Sequence, residues 1–328
     1  MEWNTPVSMP KASFSFSHRD TIMILGSCFA GEIGEKLRED RFDVDINPFG
    51  TLYNPASIAL SVRRLLEPEP FTASDLFEHE GVYHSFAHHS RFSYISEKEA
   101  LENMNRQLQS SSGNLACSSR LIITFGTAYV YRLKTGGQVV SNCHKLPERM
   151  FERERLSVES ITGEWDALLS SLWEVNPGLR VLFTVSPIRH WKDGAHHNQL
   201  SKSALLLAIH ALQTSHPERT GYFPAYEIMM DELRDYRFYA SDMLHPSPSA
   251  VEYICERFYR SFLSSESQTI VKEWEAIRKA LEHKPLQPQS PSYRQFILQT
   301  LLKAESLSGK FPYFDTSKDV ERLRSMLT

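Results

Sequence analysis

Two short segments, far apart in the chain, carry residue types that suit nucleophilic chemistry. In the first, G-S-C, Ser27 and Cys28 follow an apolar run and precede a helical pattern. In the second, D-M-L-H, Asp242 stands three residues before His245. A carboxylate at that spacing can fix the tautomer of an imidazole, whose other nitrogen then faces a nucleophile, as in a hydrolytic triad. The second segment therefore supplies a candidate base and its orienting group.

Ser27 and Cys28 are alternative nucleophiles. A glycine at the end of a strand, two small residues and a helix together form a turn that exposes a side chain at the sheet edge and aims helix N–H groups at it. A helix N-terminus stabilises a thiolate and so favours Cys28, whereas the Ser27 hydroxyl would still need a base. Alternatively, Ser27 caps the helix and Cys28 packs beneath it. Both residues stay candidates, and Cys28 is preferred.

The segments that must position these residues alternate between strand and helix patterns. Short apolar runs at 21–25, 121–125 and 180–186 are each followed by Gly, Ser or Pro, which is typical of buried parallel strands. Apolar residues at helical spacing lie between them. The alternation predicts an α/β fold with an open, mostly parallel sheet, whose sites form beyond the carboxyl ends of the strands.

A predicted helix follows Asp242 and His245 directly. Ser247 can cap it, and Pro248 suits its first turn. Its buried face is predicted to consist of Val251, Ile254, Phe258 and Phe262. The candidate base therefore lies on a loop held by a helix.

Three segments depart from the simple alternation. Residues 130–142 form two alternating runs around Gly-Gly and predict a β-hairpin. Residues 79–94 are rich in histidine and aromatic side chains and suggest a loop along a cleft. After residue 265 come helical patterns separated by a Pro-rich linker at 284–292. We therefore divide the chain into a catalytic domain, 1–264, and a helical C-terminal extension, 265–328.

Composition excludes several classes of partner. The 328 residues have a formal net charge of −4 and no run of like charges, which argues against nucleic acid and membrane surfaces as partners. No segment approaches the ~18 continuous apolar residues of a membrane span. The first twenty residues lack the basic and apolar regions of a secretory leader, so a cytoplasmic protein is expected.

Metal and disulfide chemistry are not indicated. The four cysteines contain no C-x-x-C pair, which is typical of a reduced compartment rather than of a disulfide framework or a structural zinc site. His84, His88 and His89 lack an accompanying carboxylate motif, and no H-E-x-x-H occurs. We therefore expect no metal.

Several ordered motifs resemble the bacterial GSCFA-domain family. The resemblance spans most of residues 20–262, and its motifs are GSCFA at 26–30, NCHKLP at 142–147, SPIRHWKDG at 186–194, NQLSK at 198–202, YFPAYEI at 222–228 and LRDYRFYASDMLHPS at 233–247. That family in turn resembles the SGNH, or GDSL-like, hydrolases. This second resemblance implies a flavodoxin-like three-layer α/β/α fold, to which the residue patterns above add an inserted β-hairpin and a C-terminal helical extension.

The SGNH resemblance also implies residues for an oxyanion hole. Direct register places Cys28 at the nucleophile position, and a shift by one restores Ser27. Gly50 matches the glycine of the second SGNH block. In the third block Ala128 replaces the usual asparagine, so Asn142, at the end of the hairpin, is the expected amide donor, with Thr127 as the less favoured substitute.

Candidate substrate-binding residues follow the same strands. Arg189 and His190 come directly after the strand at 180–186, where they can hold an anionic or sugar-like group or the phosphate of CoA. The other candidates are Asn198 and Lys202 on the same rim, and His144 and Lys145 beside Asn142.

The expected function is an acyl-ester hydrolase that acts through a covalent acyl-enzyme. By superfamily analogy its substrate is an O-acylated carbohydrate or another small ester, and no cofactor is required. An O-acetyltransferase that uses acyl-CoA is the alternative, for which CoA would be the cosubstrate. A binding or scaffold module that keeps the fold without catalysis is the rival from another class. The sequence leaves the oligomeric state open.

Overall fold

A computed structural model describes residues 5–11, 13–287 and 289–327. In this part of the chain the central sheet has five parallel strands: β1 (Thr21–Gly26), β2 (Asp43–Ile46), β5 (Arg120–Phe125), β9 (Arg180–Val185) and β10 (Thr220–Phe223). Their spatial order, β10-β9-β5-β1-β2, is the flavodoxin-like arrangement. The three predicted strands are therefore confirmed and form the centre of the sheet. The two outer strands are short, and no apolar run marked them.

Helices cover both faces of this sheet because its central strands are apolar on both sides. Met23 and Leu25 of β1 pack into the core on one face, whereas Ile22 and Ile24 pack into the core on the other. The first face is covered by α2 (Pro55–Leu66), α3 (Glu97–Cys117), α4 (Val158–Val175) and α5 (Gly194–Ser215). The second face is covered by α1 (Cys28–Glu39), the short α6 (Ala225–Glu227) and α7 (Pro248–Phe262). The three-layer α/β/α fold is thus confirmed.

The predicted hairpin belongs to a small antiparallel sheet. Strand β6 (Tyr129–Leu133) pairs with β7 (Val139–Val140), as expected, and on its other edge with β8 (Phe151–Arg155). The sequence did not predict β8, whose residues after Phe151 alternate in charge and are exposed except for Arg153, which is partly buried. The small sheet therefore enters between β5 and α4 without interrupting the parallel sheet.

The histidine-rich segment is partly ordered as strands. Strands β3 (Phe77–His79) and β4 (Val82–His84) form an antiparallel ribbon, and a 3-10 turn follows at Ser90–Phe92. His88 is buried among the rings of Phe49, Phe71 and Phe92, 4.7–4.9 Å between centroids. The prediction of a cleft-lining loop is therefore wrong for His88, because its imidazole packs as an aromatic core residue.

The C-terminal extension is helical, as predicted. It consists of α8 (Ser265–Glu282), α9 (Pro291–Lys310) and α10 (Ser317–Ser325), which share an apolar core of their own. Of the predicted linker, Pro288 lies outside the described residues. Polar contacts join the extension to the end of α1: Trp274 donates to the Glu39 carbonyl, and Arg41 pairs with Asp319.

No helix in the described part of the chain combines the length and the apolarity needed to cross a bilayer.

Candidate active site

A glycine turn at the end of β1 places Cys28 at the start of α1. Gly26 has a φ of +143°, and a Cβ added there would lie 2.2 Å from the Thr124 carbonyl oxygen of β5. Its N–H donates to the Asn47 side chain over 2.8 Å, which ties the turn to the segment after β2. Only glycine tolerates this φ and this close approach. Cys28 is therefore held at the carboxyl edge of the sheet as the first residue of α1.

The Cys28 thiol is half-buried against free N–H groups of the helix. Burial raises its pKa, while the N–H groups of Phe29 and of Cys28 itself act in the opposite direction. The first N–H groups of a helix have no intrahelical acceptor, so they are available to an anion formed here. The thiol is therefore neutral at rest and needs a base before it can attack.

Ser27 lies just before the helix with its side chain inside the protein. The residue is 1% exposed, and its hydroxyl neither caps α1 nor contacts another polar group of the described residues. The Ser27 carbonyl, rather than the hydroxyl, accepts the Ala30 N–H. The geometry therefore turns the thiol, and not the hydroxyl, toward open space.

Asp242 and His245 form the predicted pair. The His245 Nδ1–H donates to Asp242 Oδ2 over 2.5 Å, and Asp242 Oδ1 accepts the N–H groups of Leu244 and His245 at 2.9 and 3.0 Å. These backbone donors, together with the imidazole, lower the pKa of Asp242 to about 2. The carboxylate is thus ionised at neutral pH, and it assigns the Nδ1 proton, which leaves His245 Nε2 free to accept one.

Helix α7 supports this loop as the sequence predicts. The Ser247 hydroxyl accepts the Ala250 N–H, and Pro248 is the first residue of the helix. Of the predicted buried face, Ile254, Phe258 and Phe262 are buried, whereas Val251 is partly exposed.

Cys28 and His245 line one pocket of about 400 Å³ between α1 and α7. The pocket is also lined by the apolar residues Ile188, Pro246 and Val251 and by the charged residues Glu32, Glu35, Lys36, Glu39 and Glu252. Although 217 residues separate them in sequence, the fold brings the candidate nucleophile and base to one cavity.

The sequence analysis placed Lys202 on the rim of the site, and this prediction is wrong, because the residue lies buried beneath the rim. The residue is 1% exposed, and its ammonium donates to the carbonyls of Gly126 and Ser186, each over 2.7 Å. Burial lowers its pKa to about 7, while the nearby Cys28 acts in the opposite direction. Lys202 therefore joins the carboxyl ends of β5 and β9 and places a buried cation within electrostatic range of the thiol.

His190 and Asn198 lie at the same strand ends. The buried Asn198 side chain accepts the His190 N–H over 2.9 Å, which fixes the loop after β9. The His190 ring meets Tyr53 edge to face, with centroids 5.6 Å apart. Burial lowers the pKa of His190 to about 3, helped by the charges of Lys202 and His245. The imidazole is therefore neutral.

Arg189 lies at the edge of this group. Its guanidinium stacks over the Trp191 ring at 4.6 Å, and its charge reaches the hydroxyls of Tyr226 and Tyr239. A role for Arg189 in substrate binding stays a prediction.

The structure does not support the predicted oxyanion roles of Gly50 and Thr127. The Gly50 N–H already donates to the Asn47 carbonyl over 2.7 Å, within a turn that needs its φ of +81°. The Thr127 hydroxyl contacts Ser201 at 3.1 Å and accepts the Tyr129 N–H. Both groups are engaged by the fold before any substrate binds.

The end of the hairpin is also engaged elsewhere. Asn142 closes a turn by accepting the His144 N–H over 2.8 Å, and the buried His144 ring bonds the Ser85 carbonyl beside His84. Lys145 is exposed in the same turn. Within the described residues, the contacts of this turn lead to the β3–β4 ribbon rather than to Cys28, so the structure does not support site roles for these residues.

Tyr53 is a site residue that the sequence analysis missed. Its carbonyl accepts the N–H groups of Gly126 and Thr127 at 2.7 and 2.9 Å, which joins the segments after β2 and β5. Burial and the nearby Cys28 raise the pKa of its hydroxyl. No local sequence pattern marks a tyrosine in a loop as a site residue, because the groups near Tyr53, namely Gly126, Thr127 and Cys28, come from distant segments.

In the described part of the chain, no three His, Cys, Asp or Glu side chains are arranged to hold a metal ion.

Comparisons with known proteins place the chain in a family. The profile described as GSCFA family matches residues 21–258, and the profile described as GSCFA domain protein, C-terminal domain, matches residues 274–328. No curated protein matches. A solved structure described as a putative platelet activating factor from Streptococcus pneumonia is similar at 11% identity and a TM-score of 0.40, over 75% of this chain and 84% of that chain. Because the family profile covers well over half of the sequence, the chain belongs to the GSCFA family.

Proposed function

We propose that the protein is an acyl-ester hydrolase with a Cys28–His245–Asp242 triad. The observation that carries this proposal is the shared pocket: a thiol at a helix N-terminus and a carboxylate-bound imidazole open into the same cavity. A nucleophile, a base and an orienting group are the set that acyl transfer needs.

The protein groups account for each proton in the proposed reaction. His245 Nε2 takes the proton of the Cys28 thiol, and the sulfur attacks the acyl carbon. As the C–S bond forms and the C–O bond to the alcohol breaks, the alcohol oxygen takes the proton from His245. Water, activated by the same imidazole, then hydrolyses the thioester and frees the thiol. Asp242 stays ionised throughout and stabilises the imidazolium.

The pocket wall favours an ester with a polar, uncharged alcohol. Glu35 and Glu39 are paired with Arg38 and Arg278, whereas Glu32 and Glu252 have no ion-pair partner among the described residues. Two carboxylates that line the same pocket as the thiol repel a phosphate-bearing donor such as acyl-CoA. We therefore propose O-acylated carbohydrates or similar small esters as substrates, with water rather than CoA chemistry completing the cycle.

Hydrolysis of p-nitrophenyl acetate tests the proposal. We expect Cys28→Ala and His245→Ala each to lower kcat/KM by about 1000-fold or more, because the residues of a catalytic triad act together and the loss of one disables the others. Ser27→Ala is the matched control, and it should retain wild-type activity because the hydroxyl lies inside the protein. Mass spectrometry of a trapped acyl adduct should locate the acyl group on Cys28.

Two results would contradict this function. Equal rates in wild type and His245→Ala would remove the triad. The absence of turnover and of any adduct, with esters of several acyl lengths, would instead favour a binding module on the same fold.

A further inference from the structure

The segment after β5 offers no side-chain amide to the candidate site. The N–H groups of Gly126 and Thr127 bond the Tyr53 carbonyl, and the next residue, Ala128, is fully buried. The Gly50 N–H is engaged and the turn of Asn142 lies beside the β3–β4 ribbon, so the described donors beside the thiol are those of the α1 N-terminus. A second hydrogen-bond donor to the oxygen of the reacting acyl group must therefore come from the end of another strand.

The neighbouring strand supplies a ring at this position. Strands β5 and β9 pair up to Phe125 and Val185, so the segments after them emerge side by side. The His190 ring lies against Gly126, and a Cβ added to that glycine would be 3.1 Å from His190 Nε2. The absence of a side chain at Gly126 is thus what admits the imidazole to the end of β5.

His190 Nε2 is a polar atom with no partner. It is buried and forms no hydrogen bond within the described residues. A buried nitrogen left without a partner costs about 1–3 kcal/mol, so a hydrogen bond from this atom to a bound group would be favourable. The nearby groups are the Tyr53 ring, Lys202 and His245, each of which is engaged in or electrostatically coupled to the candidate site.

The surroundings hold this imidazole as a neutral donor. Asn198 fixes the backbone of His190, and the buried Lys202 ammonium disfavours a second positive charge close by. A neutral imidazole with its proton on Nε2 donates one hydrogen bond and carries no net charge. Such a donor suits an oxygen that becomes negative only during the reaction.

We propose that the His190 ring, whose Nε2 is buried against Gly126, turns toward the Cys28 sulfur when substrate binds, so that Nε2–H becomes an oxyanion-hole donor together with the Cys28 N–H. This inference rests on the function proposed above. When the Cys28 sulfur bonds to the acyl carbon, the C=O π pair moves onto the oxygen, which accepts both hydrogen bonds. The pair returns to reform C=O as the alcohol leaves, and the His190 proton stays on its nitrogen.

Variants at residue 190 test the role. His190→Phe keeps the ring without the donor, and His190→Gln places an amide nitrogen near the Nε2 position. We expect His190→Phe to lower kcat about 100-fold with little change in KM, since the donor acts on the transition state. His190→Gln should recover at least about 10-fold of that loss. His196→Ala, at an exposed position of the same segment, is the control and should match wild type.

The rate of Cys28 alkylation by iodoacetamide separates this role from a structural one. Alkylation forms no oxyanion, so it should stay within about 2-fold of wild type in every residue 190 variant. A kcat for His190→Phe equal to that of wild type, or an alkylation rate that falls in parallel with kcat, would overturn the proposal. Alkylation of Cys28 in a wild-type protein without ester turnover would instead overturn the proposed hydrolase, and the role of His190 with it.

Discussion

Replacing Lys202 with methionine tests how the buried cation supports the site. Methionine has a similar length and no charge. The change leaves the carbonyls of Gly126 and Ser186 without the donor they now share, at a cost of about 1–3 kcal/mol each. It also removes the penalty of burying an ammonium. The two effects are similar in size and opposite in sign, so we expect the variant to fold.

The pH dependence of the free energy of unfolding reveals whether the Lys202 ammonium is buried. Burial lowers the Lys202 pKa from 10.5 in the unfolded chain to about 7 in the folded protein. Between these values the unfolded chain binds one proton more, so the free energy of unfolding rises with pH by about 1.4 kcal/mol per unit. From pH 7 to pH 10 this contribution amounts to about 4 kcal/mol. Below pH 7 both states are protonated, so Lys202 no longer makes the free energy of unfolding depend on pH.

Urea unfolding of wild type and Lys202→Met at pH 6 to 10 provides the measurement. We expect the difference between the two free energies of unfolding to change by about 4 kcal/mol above pH 7 and to stay constant below it. Lys303→Met, on the surface of α9, is the control, and its difference should not depend on pH. A pH-independent difference for Lys202→Met would show that the ammonium is not desolvated.

The same variant should change the chemistry of Cys28. Lys202 lies within electrostatic range of the thiol, and its positive charge favours the thiolate. Without it, Cys28 should react more slowly with iodoacetamide below about pH 7, where Lys202 is charged, and at the wild-type rate at high pH, where Lys202 is neutral. An unchanged profile would refute the coupling of the two charges, even if the stability result held.

Two further substitutions test the supports of the site. Gly50→Ala should lower the free energy of unfolding by about 2–4 kcal/mol, because φ is +81° and the new Cβ would lie 2.3 Å from His89 Cβ. The control is Gly113→Ala, in open space on α3, which should not destabilise the protein. Equal effects of the two substitutions in urea unfolding would contradict this account. Burial lowers the pKa of His88 to about 3, so wild type should lose stability as pH falls from 6.5 toward 3, by up to about 1.4 kcal/mol per unit from this group. His88→Phe should remove that loss, and acid unfolding curves with the same slope in both proteins would contradict it.

Local sequence was sufficient where the interacting groups are close in the chain. Asp242 and His245 are three residues apart, and the two backbone donors to the carboxylate, the N–H groups of Leu244 and His245, belong to the same short segment. The cap of α7 by Ser247 is equally local. Strand and helix periodicities depend on each residue and its near neighbours, so the central strands and the three-layer fold were also predictable.

Only the tertiary structure decided which adjacent residue faces the pocket and which predicted donors are free. Ser27 lies in extended backbone just before α1 and Cys28 is the first helical residue, so their side chains point in different directions, one into the interior and the other into the cavity. The positions of Lys202 and His190 depend on carbonyls and rings at the ends of β5 and β9, up to 76 residues away. A hydrogen bond is satisfied by whichever partner the fold brings within reach, and the order of residues along the chain does not name that partner.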